Sequence, residues 1–209
     1  QFERAITEYR DKEYVGRSRI SGENAYLDLI RELADVPMAQ RVSHVDSIVL
    51  FLNRWNCRLP TRTSETRLAL QGWLGSEHAA LEALADSTLF DDDVPTRRDE
   101  FDRIYASLIA LRDSMNGPRI PTMGDAAASK FLGVMVPSLF VMWDKEIKKG
   151  ELGYGEFMLR MHEFAHHLRD HLAPADARDD IDGYLQHALG YEVRKPLAKY
   201  LDDYNWGVA

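Results

Sequence analysis

The sequence predicts an all-α fold, and three observations carry that prediction. Apolar residues recur at the i, i+3, i+4 spacing of a helix face through most of the 209 residues. Segment boundaries fall at residues that start or stop helices, with serines at Ser21, Ser64 and Ser76 and prolines at Pro37, Pro60, Pro118 and Pro174. No segment alternates with period two, and Val134 to Trp143 is the single stretch whose composition would suit a strand.

The first helix is expected over Phe2 to Val15. Ser21 reads as the N-cap of a second, Glu23 to Ala34, whose Tyr26, Leu29, Ile30 and Leu33 form an apolar face closed by Pro37. Val45, Ile48, Val49, Leu52 and Trp55 mark a third helix ending before Pro60. Two shorter helices capped by Ser64 and Ser76 follow, divided at Gly75. A helix beginning at Pro95 carries the stripe Phe101, Ile104, Tyr105, Leu108 and Leu111, and Asn116-Gly117-Pro118 stops it. Ala126 to Val136 is helical, breaks at Pro137 and resumes over Leu139 to Lys148. Glu156 to Leu172 is strongly amphipathic, Ala173-Pro174 reverses the chain into Ala175 to Leu189, and Pro196 opens a last short helix. The acidic run Asp91-Asp92-Asp93 is the candidate linker. It divides an N-terminal lobe, 1–93, from a C-terminal lobe, 94–209, unless the two form one continuous domain.

A hydrophobic fraction of 45% and a charged fraction of 29% are those of a soluble globular chain. The single cysteine, Cys57, allows no internal disulfide and points to a reducing, cytoplasmic setting. No apolar run reaches the roughly 18–20 residues of a membrane span, and the start Gln-Phe-Glu-Arg lacks the pattern of a signal peptide. The formal charge of −8 disfavours nucleic acid as a partner, although Arg54, Arg58, Arg62 and Arg67 cluster, as do Lys145, Lys148 and Lys149. No other partner is indicated.

Two constellations carry chemistry. His162-Glu163-Phe164-Ala165-His166 spells HExxH, which on a helix places two imidazoles one above the other with a general base, Glu163, beside them. Phe157, Met161, Phe164, Ala165, Leu168 and Leu172 form the core face of that helix, leaving His162 and His166 on its flank. Catalytic zinc, the one cofactor suggested, needs a third ligand. Only the helix returning after Pro174 offers one, with Asp182 the leading candidate. His166, His167 and His171 are also imidazole donors for a transition metal, or simply a polar face.

The second constellation is Ser129-Lys130-Phe131-Leu132 followed by Pro137-Ser138-Leu139-Phe140-Val141-Met142-Trp143-Asp144. Lys130 and Asp144 border an apolar segment and would pair with each other or reach solvent. This stretch resembles bacterial helical proteins of unknown function that carry Ser-Lys-x-Leu and Pro-x-Leu-Phe-x-x-Trp-Asp. More distantly it resembles the core of helix-hairpin-helix DNA glycosylases. The resemblance implies a hairpin at Met123-Gly124 and a catalytic aspartate at Asp144. The hairpin's second glycine is replaced by the run Asp125-Ala126, and Lys130 falls about one helical turn after the family's lysine. Asn53 and Asn56, with Arg54 and Arg58, would line a polar cleft beside Trp55, with Trp143 also cleft-lining. The alternative is an amphipathic helix whose Trp55 is core and whose arginines are solvated.

Three functions are therefore expected as alternatives. One is a nucleic-acid or nucleotide-related cleft around Asp144, Lys130, Asn53 and Arg54 on a glycosylase-like scaffold. Another is a zinc hydrolase through HEFAH at 162–166. The last is a non-enzymatic module that presents acidic surface to a protein.

Overall fold

The computed structural model describes residues 2–14, 17–59, 64–114, 123–143 and 152–208. Among these the chain forms nine α-helices and no strand. They are α1 (Phe2–Tyr14), α2 (Arg17–Leu33), α3 (Val45–Arg54), α4 (Ser64–Glu82), α5 (Arg98–Ser114), α6 (Asp125–Met135), α7 (Tyr154–His171), α8 (Ile181–Leu189) and α9 (Leu197–Val208). Short 3-10 turns at Met38–His44, Val94–Arg97 and Ala175–Asp180 lead into α3, α5 and α8. No described helix is long and apolar enough to cross a membrane.

The centre is α6, because its sequence leaves it nowhere else to go. Every residue from Ala127 to Met135 is buried, and Lys130 is the only charge among them. A helix apolar on all sides must be surrounded. Here α5, α3 and α2 surround it. On the outside, α1 packs against α9 and α5 against α7. Phe2 packs at a tilt against Tyr204 with ring centres 5.2 Å apart and meets Phe164 edge-on, so the two ends of the described chain share an aromatic contact. One hydrophobic cluster runs from Phe2 to Leu201 across the expected boundary at 93/94.

Side chains fasten the helix ends. Arg41 donates Nε to the Val36 carbonyl, Nη2 to Leu33 and Nη1 to Met135. One guanidinium thereby satisfies carbonyls at the C-termini of both α2 and α6 and holds those ends together. Between α5 and α7, a Cβ added to Gly155 would clash with the Arg98 carbonyl, and the Gly155 N–H donates to Asp102 Oδ1 at 2.7 Å. Only glycine allows that approach.

Several expected boundaries move. Ser21 lies inside α2, which is already running from Arg17. The division at Gly75 is absent: α4 continues through Gly72 and Gly75, at a cost of about 1 kcal/mol per glycine relative to alanine. The acidic segment is a packed turn, with Asp91 accepting from the Thr88 N–H and hydroxyl. Leu172, expected in the core, is 49% exposed just beyond the end of α7.

The largest difference follows Pro137, where residues 139–143 are neither helix nor strand yet wholly buried. Leu139 and Phe140 donate their N–H groups to the Val136 carbonyl, and side chains take up polar groups of Val141 and Trp143. Tyr154 donates its hydroxyl to the Val141 carbonyl at 3.0 Å, while Ser129 Oγ accepts from Trp143 N–H and donates to Trp143 O. Those partners replace the helical ladder. Asp144 and the remainder of the expected helix to Lys148 lie outside the described residues, as does Asn116-Gly117-Pro118.

Candidate functional site

A cleft of about 340 Å3 opens between α2 and α3. Helical spacing builds it from each side. On α2, Asn24, Asp28 and Glu32 recur every four residues, and on α3 Ser47, Leu50 and Arg54 recur at three- and four-residue steps. Ala25, Leu29 and Phe51 supply its apolar walls. The two helices are held at this separation by Trp55. Its indole N–H donates to the Gly22 carbonyl at 2.9 Å, and its ring would lie only 3.0 Å from a Cβ on residue 22.

Charges in the cleft are mixed. Glu32 accepts from His44 Nδ1 at 2.7 Å and from Ser47 Oγ at 2.8 Å. Its carboxyl is held below the usual range, chiefly by the His44 hydrogen bond and against the effect of burial. Asp28 stands 3.6 Å from Arg31. Arg54 is exposed at the last position of α3. Immediately beyond it the backbone turns sharply, with Asn56 at φ 59° and Arg58 at φ 56°. Left-handed residues other than glycine store roughly 1–3 kcal/mol of strain and collect at functional loops. Asn53 sustains that turn by donating Nδ2 to the Leu59 carbonyl and accepting from the Leu59 N–H. It therefore braces the loop after Arg54, and the cleft walls do not include it.

Lys130 belongs to a different assembly. It is 3% exposed, with Nζ 5.3 Å from the centre of the Trp55 ring and with Asp202 as a facing carboxylate. Around it lies a buried charge network. Lys199 donates to Asp202 Oδ2 at 2.9 Å and also binds Asp203. Lys195 donates to Asp203 at 3.2 Å, and Glu23 from α2 pairs with both Lys195 and Lys199. Burial pushes the Asp202 carboxyl up, and Lys199 opposes it. At Glu23 burial acts upward too, but Lys199 and Lys195 outweigh it and the carboxyl is lowered. Trp143 is core, stacked on Phe157 at 5.5 Å. Arg54 thus lines the α2–α3 cleft, while Lys130 and Trp143 are buried and are not among its lining residues.

The HExxH histidines do share a face of α7, with ring centres 4.5 Å apart. Their nitrogens are committed differently. His162 Nδ1 bonds the Leu89 carbonyl at 2.7 Å, so it carries the proton and leaves Nε2 a lone pair. His166 Nδ1 lies 2.8 Å from Arg169 Nη2. A guanidinium only donates, so Nδ1 accepts and Nε2 keeps the proton. That proton occupies the lone pair a metal would need. Burial, followed by His162 and Arg169, depresses the His166 imidazolium further. Glu163 is exposed. Asp182 lies in another cleft, of about 160 Å3, with Arg194 at 4.0 Å. Its carboxyl is raised to about 6, principally by burial, while Arg194 and the Leu197 N–H at the start of α9 act to lower it. Among the described residues, no group of three or more His, Cys, Asp or Glu side chains is placed to hold a metal ion.

Sequence reasoning missed the α2 wall of the cleft and the charges of α9. A signal for the latter exists: Lys195, Lys199 and Asp203 repeat every four residues among Leu197, Ala198, Tyr200 and Leu201, all of them buried. Comparison with protein-family models, curated proteins and solved structures returns no match.

Proposed function

We propose that the protein binds a nucleotide-sized ligand in the α2–α3 cleft, with Arg54 as its phosphate partner. The observation that carries this reading is the cleft itself. Its volume of about 340 Å3 lies in the range of small-molecule sites, and its walls combine apolar faces with a few polar groups. Leu29, Phe51 and Ala25 suit the face of a flat ring. Asp28 and Glu32 are acceptors for ribose hydroxyls or an exocyclic amine, and Arg54 offers planar donors to one phosphate. Those same carboxylates, with the net charge of −8, disfavour a long phosphate backbone. The resemblance of the segment at 123–144 to DNA glycosylases favours nucleobases as the ligand class, although none of its described residues, 123–143, lines the cleft.

Titrating the four ribonucleoside 5′-monophosphates at low salt tests the proposal. Saturable binding should weaken as salt rises and fall about tenfold or more in Arg54→Ala, the loss expected for a charge-assisted contact. Binding to none of them, or undiminished binding by Arg54→Ala, contradicts it.

A second reading rests on Leu50 and Leu68, which are 55% and 62% exposed on α3 and α4, helices joined by the Arg67–Asp46 ion pair. Such residues suit a protein-docking face. Leu68 lies outside the cleft walls, so Leu68→Asp should leave nucleotide binding intact if the first reading holds.

A further inference from the structure

We infer that His167 and His171 form a two-imidazole chelate for a divalent transition metal ion of the zinc, nickel and copper class. The site is independent of both the HExxH pair and the α2–α3 cleft. The two residues are one turn apart at the C-terminal end of α7, and both are exposed. Their ring centres are 4.7 Å apart with planes inclined at 51°. Two imidazoles bound to one ion at 2.0–2.1 Å, with a nitrogen–metal–nitrogen angle between square and tetrahedral, have centres about 4.5–5.2 Å apart. The observed separation therefore already matches a shared ion, with waters completing the coordination.

Surroundings distinguish this pair from its neighbour on the same helix. At His162 and His166 one nitrogen is held by the Leu89 carbonyl and another faces the Arg169 guanidinium. Arg169 is turned away from His171 towards His166, Asp170 and the Phe90 ring, over which it lies at 4.8 Å. His171 is the last residue of α7, where the negative end of the helix dipole favours a cation. Exposed Glu163, one turn before His167, adds negative charge, while Arg178 donates to the Asp170 carbonyl and subtracts some. Both ligands sit on a rigid helix, so little ordering is required when the ion binds.

Calorimetric titration of the untagged protein with Zn2+ tests the inference. One ion per chain should bind, and His167→Gln and His171→Gln should each weaken it at least tenfold, while His162→Gln leaves it unchanged. All three positions are on the surface or flank of α7, and circular dichroism checks that each variant is folded. In the wild type, Zn2+ at a hundredfold excess over its dissociation constant should raise Tm by about 5–10 °C, and His171→Gln should abolish that shift. Loss of binding in His162→Gln, equal binding in all variants, or no binding at millimolar Zn2+ overturns the inference.

Discussion

A half-buried carboxylate that accepts from a helix N-terminus beside a single arginine is caught between opposing effects, and Asp182 is in that position. Burial raises its carboxyl to about 6, outweighing Arg194 and the Leu197 N–H. The folded state therefore binds its proton more tightly than the unfolded chain does. Stability from this group is fully present below the ordinary value of 3.8 and is lost as pH rises through about 6. Asp182→Asn keeps an oxygen for the Leu197 N–H and removes the ionisation. The variant should be more stable than the wild type by up to about 2 kcal/mol at pH 7.5, with the difference vanishing near pH 4. Urea unfolding at both pH values measures it. A less stable variant at pH 7.5 would mean that Arg194 outweighs burial.

At the scale of elements, the contact between α5 and α7 turns on one missing side chain. Gly155→Ala would push the Arg98 carbonyl and Asp102 of α5 away from α7, and should cost about 1–3 kcal/mol or more by thermal unfolding. An unchanged Tm would show that the two helices adjust freely. Helix faces such as Val45, Ile48, Val49 and Leu52 on α3 were legible in the sequence, because periodicity reports burial directly. So was the pairing of His162 with His166, which follows from helical spacing alone. The state of their nitrogens was not, since Leu89 and Arg169 decide it. Residues 139–143 read as helix because their composition is apolar; instead Ser129 and Tyr154 bond the backbone of Trp143 and Val141. The cleft was half legible. Arg54 stood out, but Asn24, Asp28 and Glu32 acquire meaning only when α2 lies against α3.

Across the whole molecule, the buried charges join the two ends of the sequence. Glu23 on α2 pairs with Lys195, just before α9, and with Lys199 in its first turn, and α1 packs on α9. Removing one partner of such a network leaves uncompensated charge in the core. Glu23→Ala should lose about 3–5 kcal/mol in urea unfolding, and Glu23→Gln less. Because the hydrophobic cluster is continuous, the wild type should unfold in a single transition seen alike by tryptophan fluorescence and circular dichroism. Two separated transitions would make residues 1–93 and 94–209 independent units. The same network keeps Lys130 inside the molecule, away from the solvent-open α2–α3 cleft proposed as the ligand site. Amide and indole resonances recorded during titration with a ribonucleoside monophosphate test that claim most directly. The account predicts saturable shifts confined to Asn24–Glu32, Ser47–Arg54 and the Trp55 indole, with the Trp143 indole unmoved. Shifts centred on Trp143 and α6, or none at saturating nucleotide, would contradict it.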